Sequence, residues 1–208
     1  MSKSTAGEPH FEEVREEEYV AFDPNKLKKG QRAELAGLRS VRAFLSWGAR
    51  DGQKPDLDLS ALLLGANGKM PGEEALIYYN NTCRNKDGTP TGPVYHKGDV
   101  RDGGDEEWIS TDLARIDPRT RTILLAITSY SESEPIHFGR IRDAVVWVMD
   151  EGKNEELCRY DLTEDMSGFT AVEAAAFRRD GQGWVFEALG RCVGKAANGL
   201  TDIIDIYG

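Results

Sequence analysis

The sequence predicts an all-β fold, a two-sheet β-sandwich preceded by a flexible acidic arm and closed by a short C-terminal helix. Three observations carry that prediction. From Leu27 onward, short apolar runs are separated by Gly, Pro, Asn and Asp at close intervals, the spacing of successive strands and turns. Several runs are rich in Val, Ile, Tyr and Trp, side chains that fit a pleated, half-buried surface. The pairs Asn67-Gly68, Asp87-Gly88 and Asp180-Gly181 supply the positive φ that tight hairpin turns need. Together they give the rhythm of a sandwich.

Residues 1–26 read as the arm. Between positions 1 and 23, Lys3 and Arg15 stand against Glu8, Glu12, Glu13, Glu16, Glu17, Glu18 and Asp23, a local net charge of -5. With little apolar surface to bury, such a segment stays flexible, and residues 12–19 can form a turn or two of helix on a partner. Residues 27–208 read as the sandwich domain. Its candidate strands are the runs 40–47, 57–64, 75–79, 108–113, 122–130, 144–149, 156–162 and 184–189. Two stretches read locally as helix. Residues 171–178 do so through their alanines, although alanine propensity is readily overridden in a sheet core. Residues 199–207 do so because Leu200, Ile203, Ile204 and Tyr207 fall on one helical face.

Composition excludes several function classes. The chain of 208 residues carries a formal net charge of -10, which repels phosphate backbones and anionic membranes unless basic residues cluster. The densest basic run is only Lys26, Lys28 and Lys29, so no nucleic-acid partner is expected. The longest wholly apolar run, 144–149, is far short of the ~20 residues of a membrane helix, so an integral membrane protein is not expected either. No apolar signal region precedes residue 18, which makes the cytoplasm the expected compartment. Cys83, Cys158 and Cys192 form no zinc-type spacing and read as reduced thiols. The histidines are His10, His96 and His137, and no nucleophile-elbow, zincin or phosphate-loop sequence occurs. A non-enzymatic protein is expected.

The informative segment is 98–107, Gly-Asp-Val-Arg-Asp-Gly-Gly-Asp-Glu-Glu. It places Asp99, Asp102, Asp105, Glu106 and Glu107 beside one Arg, a net charge of -4, and unpaired carboxylates so close repel one another. Adjacent glycines let the chain curl around a hard cation taking six to eight oxygen ligands, and calcium suits this better than zinc because neither Cys nor His accompanies the carboxylates. A solvated acidic loop remains an equal reading of the segment alone. A second acidic element, Asp56 and Asp58, lies ahead of the apolar run 61–64. In a strand both aspartates point one way and Leu57 and Leu59 point into the core. A magnesium-dependent phosphoryl-transfer site ranks last, since no lysine-bearing phosphate loop or general base is present.

These residues, in their order, bring a family into view. Leu27-Lys28-Lys29-Gly30-Gln31 resembles an opening L-x-K-G-Q strand, 39–47 a strand ending in L-G-W, and 55–64 the signature F-D-L-D-A-S-A-F-L-L. Tyr78-Tyr79-Asn80-Asn81 is similar to F-Y-N-N, 94–99 to V-x-H-x-G-D, and Asp105-Glu106-Glu107 with Ile109 and Asp112-Leu113 to D-D-E, I and D-L. Phe138-Gly139 with Asp143-Ala144 falls where N-F-G-Q-V-x-N-A is expected, followed by 159–162, 184–190 and Gly199-Leu200. The chain thus resembles, over 27–208, the TerD family of tellurium-resistance and stress-response calcium-binding proteins. The resemblance implies a TerD-type sandwich, strand instead of helix at 170–178, and Ca2+ bound by acidic loops at one end. Carried over, the metal candidates are Asp56, Asp58, Asp99, Asp105, Glu106 and Glu107, with Asn80 and Asn81 nearby and Asp102 as a compensating ligand. It further implies a bacterial stress, tellurium-resistance or defence role, in the cytoplasm or peripheral to the inner membrane through other stress-response or assembly proteins. The chain also departs from the pattern. The acidic loop is shorter, its asparagine is Val100, and the aspartate after L-G-W is Gly48, with Asp51 nearest. One calcium, two, or an adaptor role with weak or dispensable calcium all stay open.

Overall fold

The computed structural model describes residues 25–49, 56–98, 106–132, 134–162, 166–181 and 183–208. The arm at 1–24, and with it the expected helical turn at 12–19, lies outside the described residues. Among the described residues, twelve strands are β1 (Lys26–Leu27), β2 (Arg32–Glu34), β3 (Ser40–Ala49), β4 (Asp56–Leu64), β5 (Leu76–Ile77), β6 (Val94–His96), β7 (Glu107–Asp112), β8 (Thr122–Tyr130), β9 (Ile141–Asp150), β10 (Glu155–Asp161), β11 (Ala171–Asp180) and β12 (Gly183–Gly194), followed by helix α1 (Gly199–Tyr207). They form two six-stranded sheets, β1-β10-β9-β3-β7-β6 and β2-β12-β11-β8-β4-β5. The expected sandwich and its C-terminal helix are both present. The first sheet ends on β6 and the second on β5, so the chain passes between sheets at that edge.

Alternation along the strands sets the core. Val41, Ala43, Leu45, Ile109, Val146 and Val148 of the first sheet meet Leu57, Leu59, Ile123, Leu125, Ile127, Phe177 and Phe186 of the second, all essentially inaccessible to water. The interleaved residues of the first sheet face outward. There Trp108, Phe44 and Trp147 fall in register across β7, β3 and β9, with the Phe44 and Trp147 rings stacked at 5.1 Å and the Arg42 guanidinium 4.3 Å from the Trp108 ring. Such cross-strand contacts contribute ~0.5–1 kcal/mol each. Cys158 lies in the core, and burial, with the nearby Glu156 charge, pushes its thiol up to about 12. Cys83, Cys158 and Cys192 are present as thiols outside any disulfide, as expected.

The alanine-rich stretch is strand β11, not helix. Its place explains the composition: β11 lies between β12 and β8, with the core on one face and α1 on the other. Ala171, Ala174, Ala175 and Ala176 are each fully buried, and small side chains let α1 approach. A β-carbon at Gly199 would strike the Thr170 carbonyl. Helix α1 buries Leu200 and Ile203 against Leu62, Leu124 and Ala126, and Tyr207 packs beside them. Ile204, expected on that face, is 40% exposed, because it lies about 100° around the helix from Ile203. The Tyr207 hydroxyl donates to Glu173 Oε1 at 2.5 Å, and Arg191 pairs with the same carboxylate.

Two contacts generate predictions. Gly190 has φ +55°, and a β-carbon there would collide with the Tyr160 hydroxyl reaching across from β10. Gly190→Ala should lower the unfolding free energy in urea by about 2–5 kcal/mol, summing left-handed strain and overpacking. Tyr160→Phe in that background should recover part of the loss, and an unchanged midpoint for the single variant would refute the contact. Desolvation and then the Glu173 hydrogen bond raise the Tyr207 phenol above its ordinary value of 10.0. The folded state therefore holds this proton to higher pH than the unfolded chain does. The bond's stabilisation, ~1.5–3 kcal/mol for a charged acceptor, is complete below pH ~10 and declines as the pH rises above it. Tyr207→Phe should lose that stability at pH 8 and show a shallower decline above pH 10 in denaturation curves.

Candidate functional site

Strand register gathers the acidic elements at one end of the sandwich. Strand β4 begins at Asp56, which pairs with Tyr130 at the end of β8. Strand β6 ends at His96, opposite Ile109 of β7, and the Lys97 amide donates to the Trp108 carbonyl at 3.0 Å. The acidic segment is therefore the connection of a β6–β7 hairpin, leaving and re-entering the sandwich beside the start of β4. Asp99, Asp102 and Asp105 lie outside the described residues, as does Asp51.

The two ends of this connection are held by named contacts. Glu107 is fully buried and its Oε2 accepts from the Leu59 amide at 2.8 Å. That amide is open to a side chain because β5 pairs only with Ala61 and Leu62, leaving the first half of β4 as a sheet edge. The carboxylate of one sheet thus fills the backbone edge of the other. His96, also fully buried, brings Nε2 to 3.5 Å from Glu107 Oε2. The Gly98 amide donates to His96 Nδ1 at 2.9 Å, which leaves Nε2 as the hydrogen-bearing nitrogen of the neutral ring. On the exit side, Lys97 Nζ donates to the Glu106 carbonyl at 3.0 Å, and the Glu106 side chain is exposed.

The remaining candidates divide by position. Asp56 and Asp58 occupy alternate positions of β4, with Leu57 and Leu59 turned into the core. Asp58 is only 6% exposed, on the outer face of its sheet opposite Thr128. Asn81 is engaged locally: its Nδ2 donates to the Leu76 carbonyl at 2.7 Å and its Oδ1 accepts from the Cys83 thiol. Asn80 is exposed in the same turn. Among the described residues no group of three or more His, Cys, Asp or Glu is placed to hold a metal ion. Residue-type reasoning overlooked His96 as a positioning group, although its place two residues after the inward Val94 marked it as facing the core. Asp143 was also more informative than its charge suggests, since its φ of +51° is a conformation that Asn and Asp tolerate best.

The sequence and the fold both have known relatives. The TerD domain profile matches residues 24–207. The chain is 34% identical over 192 residues to tellurium resistance protein TerD of Serratia marcescens, covering 88% of this chain and 96% of that protein. It is 35% identical over 193 residues to general stress protein 16U of Bacillus subtilis (strain 168), with 88% and 96% covered. A crystal structure of a homologue of telluride resistance protein (TerD) from Streptomyces coelicolor A3(2) superposes with a TM-score of 0.59 at 22% identity, covering 76% of this chain and 92% of that one. The domain match, the curated relatives and the shared two-sheet architecture agree, and the chain belongs to the TerD domain family.

Proposed function

We propose that this chain is a non-enzymatic calcium-binding protein of a bacterial stress-response or tellurium-resistance system, in which the acidic connection between β6 and β7 is ordered for partner interaction. One observation carries the reading: the ends of that connection are tied to each other and to the β4 edge at Leu59, three residues from Asp56. The donor chemistry fits a hard cation. The candidate ligands offer oxygen only, since the nearby His96 is buried, with Nδ1 accepting from the Gly98 amide and Nε2 turned toward Glu107 at 3.5 Å. Asp56 and Asp58, with Asp99, Asp102, Asp105 and Glu106, would hold the ion, and bound calcium would neutralise the mutual repulsion of these carboxylates. Glu107 positions the loop through Leu59. No helix among the described residues is long and apolar enough to cross a membrane. Cytoplasmic placement, with membrane association only through other stress-response proteins, is part of the same proposal.

A second reading, an adaptor that dispenses with calcium, is favoured by the same tie, because Glu107, His96 and Gly98 join the loop to the sheets without any ion. Heat separates the two. A ligand binding only the folded state at a hundredfold excess over its Kd stabilises by ~2.7 kcal/mol, which for a domain of this size raises Tm by about 5–11 °C. Millimolar calcium should produce such a rise and Asp56→Asn with Asp58→Asn should abolish it. Neither heat of binding nor a shift in the unaltered chain would leave the adaptor reading. Glu107→Gln keeps an oxygen for the Leu59 amide, so it should cost ~1–3 kcal/mol in urea and retain most of the calcium shift. Glu107→Ala, which leaves that amide unpaired and also removes packed side-chain atoms, should cost ~2–5 kcal/mol. Complete loss of the calcium shift in Glu107→Gln would instead make Glu107 a ligand.

A further inference from the structure

Away from the acidic connection, the outer face of the second sheet carries a cavity of 380 Å³ between the end of α1 and the residues preceding β5. Its lining is apolar at Met70, Leu76, Tyr78 and Ile204 and polar at Asn81, whose amide is engaged by Leu76 and Cys83, and its rim carries Glu73 and Glu74. The volume falls within the ~300–1,000 Å³ of pockets that take a ligand or an anchoring side chain. Three features mark it as a docking surface. Ile204 and Ile206 are each 40% exposed, making α1 the source of two of the three exposed large hydrophobic side chains among the described residues. Glu73 and Glu74 are exposed and have no ion-pair partner among the described residues. Lys69 is the neighbouring cation, and its Nζ is taken up by the Ile206 and Gly208 carbonyls. The rim is therefore negative over an apolar floor.

We propose that this cavity receives a segment of another protein in which an aliphatic side chain enters the pocket and an adjacent Lys or Arg meets Glu73 and Glu74. Charge complementarity selects this occupant. The chain's own arm carries a net charge of -5 over residues 1–23 and is repelled by the rim. A second copy would bring a second pair of unpartnered glutamates to the contact, and like charges facing each other disfavour it. None of the residues proposed above to hold calcium lines this cavity, so the surface stands or falls separately from the metal reading.

The test uses the full chain with terminally blocked peptides as probes, acetyl-Leu-Arg-Leu-amide against acetyl-Leu-Glu-Leu-amide and acetyl-Gly-Arg-Gly-amide, followed by methyl NMR of Met70, Leu76 and Ile204. The Arg-centred apolar peptide should shift these methyl signals saturably. The two controls should bind at least fivefold more weakly. Glu73→Gln with Glu74→Gln, both solvent-exposed and outside the core, should weaken the first peptide about three- to tenfold, the sum of two exposed charge contacts. Ile204→Ser should weaken it through the floor while leaving Tm within a few degrees. Equal binding of all three peptides, no saturable shift, or an unchanged affinity in the double glutamine variant overturns the proposal. Concentration-dependent self-association in sedimentation that Ile204→Ser abolishes would assign the groove to a second copy and overturn it equally.

Discussion

The contact on which the rest of this structure depends is a buried carboxylate taking a backbone amide across two sheets. Glu107 belongs to β7 of one sheet and Leu59 to β4 of the other, and the 2.8 Å hydrogen bond between them stands where β5 has ceased to pair. An unpaired buried amide would cost ~1–3 kcal/mol, and an extra strand at that position would close off the sheet edge. A side-chain acceptor solves the edge without adding chain. It also has a geometric consequence, because residue 107 is where the acidic connection returns to the sandwich. His96 completes the arrangement from the other stem by accepting from Gly98 and bringing Nε2 to 3.5 Å from the same carboxylate. The loop's span is thus fixed by the packing that closes the sandwich.

Much of this was legible in the residues and some was not. The runs 57–64 and 122–130 became strands, and Leu57 and Leu59 turn into the core as expected, because burial of one face decides register. The short strands β1, β2 and β6 carry too few residues for a periodic signal, and only β1 and β6 fall within motifs recognised by order. The alanines of β11 pointed locally to helix and globally to strand. The strand prevails because residues buried on both faces, under α1 and over the core, are selected for size instead of propensity. Ile204 marks the reverse case. Periodicity alone put it on the buried face, but the contact of α1 is a narrow stripe through Leu200, Ile203 and Tyr207. That narrowness leaves an aliphatic side chain exposed beside an acidic rim.

For the candidate site, composition located the acidic segment but assigned its members one role. The structure separates them. Asp56 and Asp58 lie on the outer side of β4, whereas Glu107 turns inward and is already an acceptor. A count of carboxylates cannot distinguish these, since the difference arises from which strand edge lies opposite. Asn81 is similar, an amide whose two ends are spent on Leu76 and Cys83 within a turn. The motifs in this chain therefore mix two kinds of polar residue, carboxylates on the outer side of β4 and groups that hold the stems of the connection.

Distance keeps the acidic connection and the apolar groove electrostatically separate. From Asp56 to Leu62, which lies opposite Leu76 at the groove floor, β4 advances six residues. At ~3.3 Å per residue that is about 20 Å, more than two Debye lengths at physiological ionic strength, ~8 Å each. Charge added or neutralised at Asp56 is largely screened across solvent before it reaches the groove floor at Leu62. The rim therefore keeps its own negative potential whatever occupies the far end, and a basic partner segment would sense the groove alone. Helix α1 bridges the two regions mechanically, bound near Tyr130 through Asn198 and to Met70 through the Tyr207 carbonyl. Mechanical coupling between them has two routes, helix α1 and strand β4 itself, which runs from Asp56 to the groove floor.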